Sequence, residues 1–303
     1  MDEVNEKIKN DCIERWGKEN SDERIERFVD IYARWIESIP VENRELIYKL
    51  IEKFEYYGHS YVNKKLSELH NDFISQYNID NDETLYTYIE KSDSIISSSI
   101  EYMLEYKMIN NISKKNYCIN IKEIKKYDTQ YIKNIVLVDD YSGTGESIIK
   151  YLNKNLKLFK GKNIYILLIS ISRDAIINIQ NEFEDKDIKV YINSSNVDEK
   201  AFLRLRLNEE ETIKKRDEFE LISKQKGIME DIWGKGNAEG LVSFYNNTPN
   251  DTLGIFWKET NENEPLFARN NDIRPKWRKM KKNRKYRKFQ NANNFRRNEN
   301  GWI

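Results

Sequence analysis

Along three early stretches apolar residues recur three or four positions apart, the spacing that places them on one face of a helix. Ile25, Phe28, Val29, Tyr32, Trp35 and Ile36 form the first stripe. Ser21 is expected to cap its start, with the acids Asp22 and Glu23 in the first turn, where the helix dipole favours negative charge. Pro40 then breaks the chain, and Leu46, Ile47, Leu50, Ile51 and Phe54 form a second stripe. Val62, Leu66, Leu69, Phe73 and Tyr77 form a third, so residues 1–80 are expected to be a helical layer or cap.

From about Leu85 short apolar runs alternate with helical stretches, the pattern of a parallel sheet covered by helices. Ile135-Val136-Leu137-Val138 predicts a buried strand. A Gly-rich turn follows, then a helix carrying Ile148, Ile149, Leu152, Leu156 and Phe159, then a strand at Ile164–Ile169, which together make a βαβ unit. Beyond it Ala175–Phe183 reads as helical, Ile188–Ile192 as extended, and Asn208–Lys224 as helical with Glu209, Glu210 and Glu211 at its start. Strands are expected at Leu241–Tyr245 and Leu253–Trp257, joined by the turn Asn246-Asn247-Thr248-Pro249-Asn250-Asp251. The expected fold class is α/β: a mostly parallel sheet within residues 81–273, preceded by the helical region and followed by a basic tail over 274–303.

Composition narrows the function classes. A 303-residue chain that is 39% hydrophobic and 12% aromatic can build a globular core. Cys12 and Cys118 stand far apart in no metal or redox spacing, which argues against a disulfide framework and fits a reducing compartment. With His59 and His70 the only histidines, a histidine-built metal site is disfavoured. No apolar run approaches a membrane span and the N-terminus has no signal-like stretch, so a cytoplasmic protein without membrane contact is expected.

The formal net charge of zero conceals an asymmetry. Of the 51 basic and 51 acidic residues, 12 and one lie in residues 274–303, leaving 39 and 50 in the preceding part, a balance of −11. An acidic body therefore carries a basic tail.

The chemistry-bearing string is Ile135-Val136-Leu137-Val138-Asp139-Asp140-Tyr141-Ser142-Gly143-Thr144-Gly145-Glu146-Ser147. A buried parallel strand delivers two adjacent carboxylates at its C-terminal end, where open α/β sheets bind ligands. Gly143 and Gly145 let successive backbone N–H groups turn toward one anion; the hydroxyls of Ser142, Thr144 and Ser147 add donors, and the next helix presents its positive end. Acids beside an anion cradle suit a sugar phosphate. The anion lies in the loop while Asp139 and Asp140 accept from vicinal ribose hydroxyls or, through water, hold Mg²⁺. A nucleotide-hydrolase acid pair would need G-x-x-x-x-G-K-[ST], which is absent from the chain, and a dinucleotide fingerprint would need a third glycine where Ile148 stands. A response-regulator receiver has its acid pair near its start and lacks this glycine loop.

The string resembles the PRPP-binding signature of type I phosphoribosyltransferases: four apolar residues, two acids, then a Thr/Ser/Gly loop opening a helix. The resemblance implies that Asp139 and Asp140 engage the ribose hydroxyls and that Ser142, Gly143, Thr144, Gly145, Glu146 and Ser147 wrap the 5′-phosphate, with Tyr141 and Gly143 standing where the family more often has other residues. Asp-Asp-Tyr-Ser-Gly-Thr-Gly, the later Asn246–Leu253 with Trp257, and Pro265-Leu266-Phe267-Ala268-Arg269 are similar to a narrower branch. That branch comprises phosphoribosyltransferase-like proteins of bacterial conflict systems, some encoded beside retron reverse transcriptases, and the likeness extends over roughly residues 22–269. It implies an antiviral effector that binds PRPP or a nucleotide with Mg²⁺ and makes or breaks an N-glycosidic bond. The alternative is a non-catalytic nucleotide-sensing or nucleic-acid-associated subunit of a retron-type complex.

Other residues have two readings each. Ser97, Ser98 and Ser99 serve either as a pyrophosphate loop or as a helix cap. Arg204 and Arg206 either supply positive charge to the crevice or are solvated, and the Asn246–Asp251 turn either reads a base through its amides or simply turns the chain. Arg269 either contacts phosphate or is drawn into a buried ion pair. In the tail, Lys276, Arg278, Lys281, Lys282, Arg284, Lys285, Arg287 and Lys288 are suited to a nucleic-acid backbone, while Trp277, Tyr286 and Phe289 could stack on unpaired bases. Nucleic acid, or a reverse transcriptase complex, is the partner so implied; a solvated extension is the plainer reading.

Overall fold

The computed structural model describes residues 3–17, 22–90, 98–126 and 129–269. Four helices open the chain: α1 (Glu3–Trp16), α2 (Glu23–Glu37), α3 (Arg44–Glu52) and α4 (His59–Tyr77). The last three follow the apolar stripes. Helix α1 has no comparable stripe, because its buried face is Asn5, Ile8, Cys12 and Trp16, sparse and partly polar. Ser21 lies outside the described residues, and the cap of α2 is Asp22, whose carboxylate accepts the backbone N–H groups of Arg24 and Ile25, each at 3.0 Å.

The main sheet consists of β2 (Thr84–Tyr88), β3 (Asn134–Ser142), β4 (Asn163–Ser172) and β5 (Lys189–Asp198), side by side in that order and all parallel. Helices α5 (Ser98–Ile109), α6 (Glu146–Phe159) and α7 (Arg173–Phe183) make the successive crossovers. Strand alternation sorts the side chains onto two faces. Ile135, Leu137, Ile164 and Ile166 pack with Ile148, Leu152 and Phe159 of α6 and with Ile179 and Phe183 of α7. Val136, Val138, Tyr165 and Leu167 pack with Val62, Leu66 and Phe73 of α4 and with Tyr102, Met103 and Tyr106 of α5. Because both faces are covered there, the central strands β3 and β4 carry the long apolar runs Ile135–Val138 and Ile164–Ile169.

A two-stranded sheet joins distant parts of the chain. Strand β1 (Glu55–Tyr57) pairs in parallel with β6 (Val242–Phe244), Glu55 opposite Val242 and Tyr57 opposite Phe244. Helices α1 to α3 share one core with α8 (Ala201–Arg204), α9 (Glu209–Gln225) and the segments after them: Phe28, Trp35, Leu50 and Phe54 meet Phe202, Phe219, Phe256 and Phe267. The rings of Phe54 and Phe267 stack with centroids 4.8 Å apart. Helix α9 starts on a reciprocal cap, the Asn208 side chain accepting from the Glu211 N–H at 2.8 Å while Glu211 accepts from the Asn208 N–H at 3.3 Å.

One expected strand is absent. Gly254–Phe256 is a 3-10 turn, with Phe256 N–H donating to the Leu253 carbonyl and Trp257 N–H to that of Gly254. Leu253, Ile255 and Phe256 are all fully buried, so this apolar run records depth of burial on every side and not extension. Gly254 also passes so close to Asp231 that a Cβ there would lie 2.7 Å from its carbonyl oxygen. Among the described residues Cys12 and Cys118 are buried free thiols, and no helix is long and apolar enough to cross a membrane.

Candidate functional site

Strand β3 continues past its apolar run, through Asp139, Asp140 and Tyr141 to Ser142, with Asp139 opposite Leu168 and Ser142 opposite Ile171. The acids are buried, 1% and 6% exposed, and buried carboxylates need hydrogen-bond donors. Asp139 Oδ1 accepts the Ser99 hydroxyl at 2.7 Å and the Asp140 N–H at 2.9 Å; Asp140 Oδ1 accepts the Tyr141 N–H at 2.8 Å. Ser99 is the second residue of α5 and is itself fully buried, so the start of that helix is brought beside the acid pair.

The loop after β3 is held on both sides of its backbone. Gly145 N–H donates to Ser142 Oγ at 3.2 Å and Glu146 N–H to Thr144 Oγ1 at 3.3 Å, while the carbonyls of Gly143 and Thr144 accept from Ser172 Oγ at 2.6 Å and Asn178 Nδ2 at 3.0 Å. Gly145 has φ +78°, the left-handed conformation that favours glycine, and immediately precedes α6. Glu146 and Ser147 are exposed in the first turn of α6. The Glu146 carboxyl is held below its ordinary range by a hydrogen bond from Lys150 and, further, by the charges of Lys150 and Lys235. The loop is therefore preorganised at the C-terminal edge of a parallel sheet and the positive end of a helix.

A feature that the sequence reading did not single out is Asp251. Its Oδ2 accepts the N–H of Gly143 at 2.8 Å, from 108 residues away. The segment around it also lies against the loop: a Cβ on Gly236 would come within 3.0 Å of Thr144 Cγ2, and one on Gly240 within 3.1 Å of the Tyr141 hydroxyl. The available signal was Gly234, Gly236 and Gly240, three of the chain's 11 glycines within seven positions, which marks a close backbone approach.

The Asn246–Asp251 turn docks on α5. Tyr102 donates to Asn246 Oδ1 at 2.8 Å, Asn246 Nδ2 donates to Glu101 at 2.8 Å, and the Tyr245 hydroxyl donates to Glu105. Burial, with the charge of Asp140 second, holds the Tyr102 phenol far above its ordinary range, so it acts here as a hydrogen-bond donor and not as an acid. One helix thus places Ser99 against Asp139 and receives the turn that ends in Asp251.

The remaining candidates separate. Ser97 lies outside the described residues, and Ser98 and Ser99 open α5, with the Ser99 hydroxyl on Asp139. Arg204 pairs with the buried Asp198 at 3.0 Å and donates to the Lys53 carbonyl at 2.7 Å, whereas Arg206 pairs with Glu199 at a position 73% exposed. Asp198 ends β5, where burial, opposed by Arg204 and Ser170, raises its carboxyl above the ordinary range. Arg269 is half-buried. The basic tail, Lys276 to Lys288 included, lies outside the described residues.

Among the described residues no three His, Cys, Asp or Glu side chains converge as a metal cage. Asp139 and Asp140 are the carboxylates that would hold a hydrated Mg²⁺, an ion that takes one or two carboxylates and otherwise water and substrate oxygens.

Comparison with curated proteins and with solved structures gives no significant match. The family model described as PRTase-CE matches residues 32–269, a span that contains the acid pair, its loop and Asp251, and the chain belongs to this phosphoribosyltransferase-like family.

Proposed function

We propose that the chain makes or breaks the N-glycosidic bond of a ribosyl compound, the class that includes PRPP, nucleotides and nucleosides. The observation that carries this reading is the buried pair Asp139 and Asp140, followed at once by a preformed glycine loop at the start of α6. Vicinal ribose hydroxyls would donate to the two carboxylates, and the loop Ser142–Ser147 would face the C5′ end of the sugar. Bond breaking at C1′ builds positive charge on the ring. Fixed carboxylates beside the ribose oppose that charge by electrostatics and orientation, without nucleophilic attack. Ser99 keeps Asp139 in one orientation. Mg²⁺, held through water by Asp139 and Asp140, would offset the charge of a ligand's phosphates.

The test is incubation of the wild-type protein and the Asp139→Asn/Asp140→Asn variant with Mg²⁺ and, in turn, PRPP plus a nucleobase panel, the common nucleotides and their nucleosides. Binding and release or exchange of a base by the wild type alone is expected, because each charge-assisted hydrogen bond is worth about 1.5–3 kcal/mol. If no ribosyl compound binds the wild type, the reading fails.

A second reading, a nucleotide sensor without turnover, is favoured by the closed state of the loop, whose Gly143 N–H is already engaged by Asp251. Binding without any bond change in the same experiment selects it. The setting we propose is a bacterial conflict system, with the basic tail holding nucleic acid. Growth arrest on expression of the wild type, and its absence with the double variant, is the outcome expected of an effector. Loss of salt-sensitive nucleic-acid binding on deletion of residues 274–303 is the outcome expected of the tail.

A further inference from the structure

Residues 1–273 are acidic in balance, yet five lysines surround one cavity at the end of the main sheet away from the acid pair. The cavity has a volume of about 580 Å³, and Lys125, Lys133, Lys157, Lys160 and Lys162 line it, with no acid among the lining residues. That size is ordinary for a ligand site. The lysines come from three stretches. Lys125 belongs to the 3-10 turn Ile121–Lys126, Lys133 stands one residue before β3, and the other three run from the last turn of α6 to the residue before β4. Asp139 lies six residues beyond Lys133, about 20 Å of extended strand, so the cavity and the acid pair occupy opposite ends of β3.

The cations are held to different degrees. Lys162 is half-buried, and its ammonium donates to the Thr129 carbonyl at 2.7 Å and the Ile132 carbonyl at 2.5 Å, which fixes one positive charge in the wall. Burial pulls the pKa of Lys162 below the ordinary 10.5, the direction expected of a cation removed from water. Lys133 pairs with Glu83, and Lys160 with Asp187 at 3.2 Å, both lysines being exposed, where such pairs contribute little. Lys125 and Lys157 are exposed and have no ion-pair partner among the described residues. The dipole of α6 accounts for Lys157 alone, the one cation in its last turn. Five positive charges against two carboxylates thus converge on one space, and an anion entering it relieves their repulsion. The wall is open at Gly161, another lining residue, where a Cβ would meet nothing within 4 Å.

An aromatic ring stands beside these charges. Tyr131, between the lining residues Gln130 and Ile132, is 65% exposed. Ammonium groups spread over three stretches suit phosphates spaced along a backbone, and an exposed ring next to them suits an unpaired base. We propose that this cavity binds single-stranded nucleic acid, with backbone phosphates on Lys125, Lys157 and Lys162 and a base stacked on Tyr131. The assignment is independent of the ribosyl reading of Asp139 and Asp140 and of the basic tail.

The experiment is acetylation footprinting of lysines on the full chain, read by mass spectrometry. It is run alone, with single-stranded DNA or RNA of twelve nucleotides, and with inorganic tripolyphosphate at the same phosphate concentration. Acetylation of Lys125 and Lys157 is expected to slow about ten-fold with DNA, RNA or both, and far less with tripolyphosphate, because many linked phosphates displace more counterions than one small anion. An oligonucleotide carrying 5-iodouracil is expected to cross-link, on irradiation, to the peptide that holds Tyr131, and Tyr131→Ala to lose that cross-link. Unchanged acetylation of Lys125 and Lys157, equal protection by tripolyphosphate, or no cross-link to Tyr131 overturns the assignment, and each leaves the ribosyl reading as it was.

Discussion

The hydroxyl of Ser99 donates to Oδ1 of Asp139 at 2.7 Å, joining the first turn of α5 to the acid of β3 across 40 residues of sequence. Hydrogen bonds to charged groups contribute about 1.5–3 kcal/mol, and leaving a buried carboxylate short of a donor is costly. Ser99→Ala is therefore expected to lower stability by about 2 kcal/mol in urea unfolding and to weaken any ribosyl ligand of the site, whereas Ser99→Thr, which keeps the donor, should lose less of both. Equal effects of the two substitutions would remove the hydrogen bond as the cause.

The packing of the Gly234–Thr252 region over the loop is testable with a pair of glycines. Gly234 and Gly161 both have a positive φ, +75° and +71°, but a Cβ would lie 2.1 Å from the Asp251 carbonyl oxygen at the first and has nothing within 4 Å at the second. A positive φ by itself costs an L-residue about 1–3 kcal/mol. Gly161→Ala should show that cost alone, and Gly234→Ala should exceed it by about 2 kcal/mol or more because backbone must move. Matching urea midpoints for the two would mean that the segment does not lie against Asp251.

A third prediction concerns pH. His70 on α4 contacts the Tyr106 hydroxyl on α5 at 2.6 Å through Nδ1, and burial lowers its pKa from the ordinary 6.5. A folded-state pKa below the unfolded one means that the native protein binds fewer protons, so this contribution is complete above pH 6.5 and is lost as pH falls from there through the depressed value. Melting temperature should thus fall on acidification from pH 7 toward 5, and His70→Gln should flatten that part of the profile. An identical slope in the variant would assign the acid sensitivity to other groups.

What was legible in the chain beforehand was what is contiguous. The four apolar residues, two acids and glycine loop of β3 are adjacent in sequence, and so are the stripes of α2, α3 and α4, so their spacing predicts them directly. Strand β1 is three residues long, too short to show a period, and exists because β6 lies beside it. Leu253–Trp257 looked extended because a continuous apolar run does not distinguish a strand from a turn buried on all sides. The partners of the site, Ser99 for Asp139 and Asp251 for Gly143, come from 40 and 108 residues away, and the cluster of Gly234, Gly236 and Gly240 signals a close approach without naming its partner.

The parallel pairing of β1 with β6 also bears on how the protein is made. During synthesis the acid pair and glycine loop leave the ribosome about a hundred residues before Asp251, and β1 waits longer still for the strand that it joins. Contacts so distant along the chain close slowly, since the intervening loop must first be ordered. A nascent chain ending near residue 200 would hold the whole recognition string yet lack β6, the glycine cluster and Asp251, so the contacts that close over the loop form last, only when the C-terminal third has been translated.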